Sequence, residues 1–337
     1  MKEARFYTAL TDEEVQCFLC AHRCRIMPGE RGLCGVRENQ GGSLYTLVYG
    51  RLATRHLVPI EKTGLFHFHP GSQCTSIGTM GCNFSCTCCQ NADLALTPRE
   101  QGIILGEDVL PEQVIAAARS SRAATIAYTY VEPTIFLEYV LDVAREARQA
   151  DIRNVFITNG YLTGEALDEL LPVLDAASVS LKAFNEGFYT QHCGAGLQPV
   201  LETIARLHRA GVWLEVSTTI IPGLNDTPLE LKQLAQFLCD ISPAIPWHVT
   251  AFTPAHRLLD HPATDITTLR RARDLGLETG LHHVYTGNVP GDRGENTYCR
   301  ICKGLLIDRY GFSVEKINLW RECCPICGEP LTGVGIP

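Results

Sequence analysis

Through the middle of the chain, short apolar runs alternate with stretches of helical periodicity. The runs Thr75–Thr79, Thr125–Tyr130, Asn154–Thr158, Ser178–Ala183, Trp213–Ile220, Trp247–Phe252 and His283–Thr286 read as buried strands. They are rich in β-branched and aromatic residues, with few polar positions facing water on a regular period of two. Between them, Pro111–Ser121, Thr134–Gln149, Gly164–Leu171, Pro199–Ala210, Pro228–Cys239 and Thr267–Gly280 repeat apolar residues at helical spacing. Pro111 stands at a first turn, Thr227 precedes Pro228, and Gly211 and Gly280 stand at helix ends. These are the residues that favour starts and stops. Strand–helix alternation of this kind predicts an α/β fold, a parallel sheet with helices outside it. Six or seven such units predict a partial or near-complete parallel (β/α) barrel. In such folds chemistry collects at the C-terminal ends of the strands.

Both flanks break the pattern. Residues 1–60 hold a cysteine group and Gly29, Gly32, Gly35, Gly41 and Gly42. The stretch Leu44–Leu57, β-branched and aromatic, predicts two short strands. Residues 296–337 hold another cysteine group and leave no room for a further strand–helix unit. The predicted division is a head over 1–60, a barrel over 61–295 and a tail over 296–337.

Composition narrows the class. The chain is 45% hydrophobic and 20% charged, which fits a globular protein with a sizeable core. A net charge of −8 gives no basic footprint for nucleic acid or an anionic membrane. No run is long and apolar enough to span a bilayer. The N-terminal residues MKEARFYTALTDEE lack the apolar core of a signal peptide, so a cytoplasmic location is expected.

Sixteen cysteines change the picture most. In a reducing compartment they point to metal rather than disulfides. Eleven fall into three tight groups: Cys17, Cys20, Cys24 and Cys34; Cys82, Cys86 and Cys89; and Cys299, Cys302, Cys324 and Cys327. The central group has C-x3-C-x2-C spacing and directly follows the first predicted strand. Three thiolates there can hold three irons of a cubane, leaving the fourth iron open to another ligand. An open position is what separates a catalytic metal site from a closed structural one. A zinc knuckle completed by a distant residue is the plainer alternative.

This triad, at this place in the fold, resembles the signature of the radical SAM superfamily. The resemblance implies a [4Fe–4S] cluster on Cys82, Cys86 and Cys89 whose open iron chelates S-adenosylmethionine (SAM). One electron then splits SAM into methionine and a 5′-deoxyadenosyl radical, which takes hydrogen from a substrate. It also implies an electron donor, a reductase, flavodoxin or ferredoxin. Cys88 stands where the family usually has an aromatic residue, and is expected to pack as a small apolar group.

Further matches follow in order. Glu132-Pro133 resembles the end of the family's Gly-Gly-Glu-Pro element, which implies that Glu132 meets the SAM ammonium. Its plainer alternative is an acid at a helix N-terminus. Thr158-Asn159-Gly160 resembles the family's Thr-Asn-Gly turn. Ser180-Leu181-Lys182 resembles the Asp-Ile-Lys element of glycyl-radical activating enzymes, with Ser180 in place of the Asp. Lys182 suits the SAM carboxylate, because a compact ammonium pairs well with a point anion. Ile221-Pro222-Gly223-Leu224-Asn225-Asp226 resembles the turn along the adenine. His248, beside Trp247, is expected either to contact adenosine or to serve the structure.

The tail has two C-x2-C knuckles, Cys299/Cys302 and Cys324/Cys327, which predict one tetrahedral site of zinc-ribbon or rubredoxin type, holding Zn or Fe. From residue 299 onward it carries five Arg/Lys and four Asp/Glu, so it is expected to be structural or to dock a protein rather than nucleic acid. The head's C-x2-C-x3-C-x9-C suits either zinc or a second iron–sulfur cluster, with zinc or a purely structural cluster as the expectation here. Cys17-x-Leu19-Cys20-Ala21-His22-x-Cys24, Trp247-His248-Val249 and Gly294–Cys299 together resemble the radical SAM enzyme of the AmmeMemoRadiSam system, a relative of pyruvate formate-lyase activating enzymes. That resemblance spans nearly the whole chain and leaves the substrate open. Activation of a partner protein's glycyl radical, chemistry on another substrate, and a non-catalytic scaffold remain distinct expectations. Cys193 reads either as a hydrogen donor or nucleophile or as a core cysteine.

Overall fold

The computed structural model describes residues 1–337. Its centre is an eight-stranded sheet: β1 (Thr54–Pro59), β2 (Gln73–Gly78), β3 (Thr125–Tyr128), β4 (Arg153–Thr158), β5 (Ala176–Ser180), β6 (Trp213–Ile220), β7 (Trp247–Ala251) and β8 (Val284–Gly287). The strands lie side by side in chain order. β2 to β8 are parallel to their neighbours, while β1 pairs antiparallel with β2. β8 and β1 do not pair, so the sheet is a partial barrel with a seam. Helices cover its outside: α1 (Ala92–Glu100), α2 (Pro111–Ser120), α3 (Leu137–Gln149), α4 (Gly164–Leu170), α5 (Gln198–Arg209), α6 (Pro228–Ile241) and α7 (Ile266–Thr279).

The sheet is held by its own apolar content. Ile77, Ile126, Val179, Val216 and Val249 belong to the main core and are fully buried. Each such side chain contributes about 1.5–3 kcal/mol by leaving water. Helix starts follow the sequence signals: Thr163 Oγ1 accepts from the Ala166 N–H and Thr227 Oγ1 from the Glu230 N–H, both at 3.3 Å. Caps of this kind satisfy amides that the helix leaves unpaired.

Four features differ from the expectations. The last strand of the predicted head, β1, belongs to the central sheet, so a boundary at residue 60 cuts through that sheet. The predicted helix Thr134–Gln149 begins instead as a 3-10 turn, Pro133–Phe136, before α3. Helix α1 was not expected, since Pro98 lies inside it. The second expected strand, Thr125–Tyr130, is also shorter: β3 stops at Tyr128, because Tyr130 turns into the left-handed region at φ 68°.

The tail forms an antiparallel sheet of β9 (Thr297–Tyr298), β10 (Leu305–Tyr310) and β11 (Ser313–Ile317), with a small core of its own that includes Leu306, Ile307 and Leu331. It is nevertheless bolted to the barrel. Arg309 of β10 is fully buried; its Nη2 donates to the Phe66 carbonyl at 2.9 Å and its Nη1 to Thr297 Oγ1 at 2.7 Å. The Arg309 Nε lies 3.8 Å from Glu61 Oε1. The turn between β10 and β11 carries Phe312 to the wall of the barrel's cavity. No helix is long and apolar enough to cross a membrane.

The head has two small antiparallel sheets, Tyr7–Ala9 with Val15–Cys17 and Arg25–Ile26, and Lys2–Glu3 with Ser43–Thr46 and Arg37–Gln40. It rests on the barrel through the buried pair of Arg37 Nη1 and Glu138 Oε1 at 3.0 Å.

Candidate functional site

A cavity of about 680 Å³ opens at the C-terminal ends of the strands, where the fold class predicts chemistry. Cys82, Cys86, Cys88 and Cys89 line it from the loop after β2. Glu132 lines it after β3, Thr158 and Asn159 at the end of β4, and Ser180 and Lys182 after β5. Elements far apart in the chain therefore bring eight of the expected site residues and Cys88 to one cavity. Cys88 is half-buried: it lines the cavity and also packs against the main core, as expected of a small apolar group.

The cysteine loop is fastened from several sides. The Ser85 N–H donates to the Cys193 carbonyl at 2.9 Å and the Thr87 N–H to the His192 carbonyl at 2.8 Å. The Phe84 N–H points at Cys82 Sγ, 3.4 Å away. Asn83 is buried, and its Nδ2 has no partner. Three thiols on one cavity wall and an amide aimed at sulfur form a donor set that suits a sulfur-rich anionic cluster.

Glu132 acts as a clamp. Its Oε1 accepts from Thr158 Oγ1 at 2.6 Å and from the Thr134 N–H at 3.1 Å, and its Oε2 accepts from the Asn159 N–H at 2.7 Å. Burial raises its pKa, and the bonds from Asn159, Thr134 and Thr158 offset part of that shift. The carboxylate thus ties the end of β4 to the loop after β3 and faces the cavity with its remaining capacity. Tyr130 stands where the family pattern has glycine, and keeps a backbone conformation that glycine favours. Its hydroxyl lies 3.1 Å from Ser76 Oγ and its ring packs edge-on against His56.

Lys182 brings a cation to the cysteines. Burial alone would lower its pKa, but Cys86, Cys88 and Cys193 hold it above the ordinary value. Beside Cys86 lies Cys193, fully buried, and its neighbourhood lowers the Cys86 pKa. Cys193 does not line the cavity, which places it with the core reading rather than with a hydrogen donor or nucleophile. Ser180 Oγ is 3.4 Å from Ser217 Oγ on the neighbouring strand.

His248 is not at the cavity. It is the second residue of β7, near the opposite end of the barrel, and is buried against Phe66 and Tyr285. Its Nε2 lies 2.7 Å from Glu215 Oε2. Burial would raise the Glu215 pKa, yet His248, His67 and the Phe66 amide hold it below the ordinary value. Of the two readings for His248 the structural one fits: it makes a buried hydrogen-bonded pair with Glu215, because the side chain enters the sheet several residues before the strand end.

Sequence reasoning missed Lys62, Thr129, Tyr130, Asn288 and Phe312, all of which line the cavity. Lys62 and Phe312 carry no motif, and only the folded chain brings them there.

The two outer cysteine groups differ. Cys299, Cys302, Cys324 and Cys327 place all their sulfurs within 4.8 Å of one another, with two pairs at 3.5 Å. Zinc with Zn–S bonds of ~2.3 Å in a tetrahedron requires sulfurs roughly 3.8 Å apart, so this is a four-cysteine metal site. The head cysteines are not gathered in this way.

Comparison with known proteins agrees with the geometry. Residues 76–238 match the model of the radical SAM superfamily. An uncharacterized protein of Methanocaldococcus jannaschii is 43% identical over 98% of this chain and 99% of its own. The pyruvate formate-lyase-activating enzyme of Clostridium pasteurianum is 23% identical over 71% of this chain and 99% of its own. The fold is shared with a radical SAM methyltransferase from Sphaerobacter thermophilus, at a TM-score of 0.51 and 19% identity over 68% of this chain and 71% of that one.

Proposed function

Because the chain belongs to the radical SAM superfamily and is an enzyme of it, we propose that Cys82, Cys86 and Cys89 hold a [4Fe–4S] cluster that reductively cleaves SAM. When bound, such a cluster supplies one electron to the SAM sulfonium, giving methionine and a 5′-deoxyadenosyl radical that removes hydrogen from a substrate. The observation that carries this reading is the convergence of the three cysteines with Glu132, Thr158, Asn159, Ser180 and Lys182 on one cavity.

The chain's own residues take distinct parts. Lys182 meets the SAM carboxylate as a point cation. Glu132 fixes the loops after β3 and β4 and offers negative charge toward the SAM ammonium. Ser180 and the Thr158–Asn159 turn supply hydroxyl and amide groups to the rest of the cofactor. In the tail, Cys299, Cys302, Cys324 and Cys327 hold one tetrahedral ion, zinc or iron. The electron comes from a flavodoxin, ferredoxin or reductase.

For the substrate, the placement of Phe312 favours a small molecule over a folded protein's backbone glycine. The β10–β11 turn puts Phe312 on the cavity wall and so takes room that an inserted loop would need. The names of activating-enzyme relatives keep the protein substrate as the alternative, and docking through the tail would serve it. Anaerobic reconstitution followed by measurement of 5′-deoxyadenosine with a strong reductant tests the central reading. A chain loaded with cluster that binds SAM but never cleaves it would sink the proposal.

A further inference from the structure

We propose that Cys17, Cys20, Cys24 and Cys34 hold a second [4Fe–4S] cluster, set directly behind the central triad. The inference deepens the reading above and rests on it for its role, though not for its existence.

The four head cysteines wall one small cavity together with His22, Arg37 and Asn83. A single tetrahedral ion draws its sulfurs in around itself and leaves no cavity among them, as in the tail, where all four lie within 4.8 Å. The head sulfurs stand apart around a space, as the outward ligands of a four-iron body must. The central triad, assigned to such a body, is likewise not drawn together to single-ion distance.

The lining suits an anionic, sulfur-rich occupant. Arg37 and Asn83 are each buried to nine-tenths or more, and each leaves one nitrogen without a partner, Arg37 Nε and Asn83 Nδ2. A buried unpaired N–H is costly and calls for an acceptor. Arg37 also carries a charge that its bond to Glu138 uses through Nη1, so Nε is free to face the cavity.

The position assigns a task. Asn83 lines this cavity's wall, while its chain neighbours Cys82 and Phe84 line the central one. His22, between Cys20 and Cys24, is 2.7 Å from the Asn83 carbonyl through Nε2. Gly81, at φ +100°, lies so close to the head that an added Cβ would come 3.0 Å from the Cys34 carbonyl. On the far side Cys24 is only half-buried and Leu33 is exposed. The head cluster therefore stands between the surface and the central cysteines. A flavodoxin- or ferredoxin-class donor gives it one electron, it gives one electron to the group at the central cysteines, and it ends each cycle as it began.

Inorganic sulfide decides the matter, because neither zinc nor a single tail iron carries any. The anaerobically reconstituted full chain is expected to hold about eight sulfides, against about four for one cluster. The variant Cys82→Ala/Cys86→Ala/Cys89→Ala should keep about four, with a reduced-cluster electron paramagnetic resonance signal of its own. The variant Cys17→Ala/Cys20→Ala/Cys24→Ala/Cys34→Ala should also keep about four. Should that variant fail to fold, the full-chain count and the central variant still decide. About four sulfides in the full chain, none in the central variant and a second zinc would overturn the proposal. Sulfide retained in the central variant but absent from the head variant would instead count against the central reading and for this one.

Discussion

Asn159 donates its side-chain N–H to Asn83 Oδ1 at 2.7 Å, and both residues are buried. One bond thus ties the end of β4 to the loop that presents the central cysteines. Asn159→Ala leaves the Asn83 oxygen buried and unpaired, which costs about 1–3 kcal/mol. The expected results are a lower urea midpoint and faster loss of iron from the central site under chelator. A variant with wild-type iron retention would show that the loop is held by its other contacts alone.

Lys182→Ala should weaken SAM binding while the central cluster stays loaded. A charged hydrogen bond is worth about 1.5–3 kcal/mol, or roughly tenfold to a hundredfold in affinity. Equilibrium binding under anaerobic conditions measures it. An unchanged dissociation constant would return Lys182 to a structural role.

Tyr130 permits a test of backbone strain. Tyr130→Gly removes the ring but suits φ 68°, whereas Tyr130→Ala removes the ring and keeps the strain. Glycine should therefore be the more stable of the two by about 1 kcal/mol. Thermal or urea unfolding of the pair checks the order, and alanine proving more stable would refute the argument.

Arg309→Met should be among the most destabilising single changes in the tail. It leaves Glu61 buried without its cation, at a cost of about 3–5 kcal/mol. The pH dependence has a definite sign. Burial already raises the Glu61 pKa above 4.5, although Arg309 and the Gly71 amide partly oppose it. A raised carboxyl contributes stability below its unfolded value and loses it as pH rises through the folded value. Removing Arg309 raises the folded value further, so the deficit against wild type should be smallest in acid, where only the lost bonds to Phe66 and Thr297 remain, and grow toward neutrality. Adding Glu61→Gln should recover the pH-dependent part of it at neutral pH. A deficit independent of pH would mean that lost packing, not the bared carboxylate, is the cause.

Cys324→Ala with Cys327→Ala should release one metal ion and disorder the tail's sheet, since structural sites of this kind hold their fold through the metal. The central iron should remain, because its ligands lie on the β2 loop. Metal analysis before and after substitution checks both points; loss of the central iron as well would show that barrel and tail fold as one unit.

Much of this molecule was legible in the sequence where chemistry is local. β6 begins and ends where its apolar run does, and the central cysteines fall on a loop after a parallel strand because spacing and strand end are both short-range features. Distances that depend on long-range packing were not legible. His248 follows Trp247 at a strand, but only the register with Glu215 reveals which end of the barrel it faces. The run before Leu57 reads as a strand, yet nothing in it says that β1 pairs antiparallel across to β2. Four head cysteines predict a metal without a size, because the separation of their sulfurs is set by how the two head sheets pack on the barrel.

Phe312 has a practical consequence for anyone trimming this protein. Its turn is carried by β10 and β11, its strands are held by Arg309, and the ring still reaches the wall of the reaction cavity. A barrel cut free after β8 would lose a piece of its own active-site surface, not an accessory. Such a fragment would present a chamber wider than the native one, so that assays on truncated material would report on a cavity missing part of its wall.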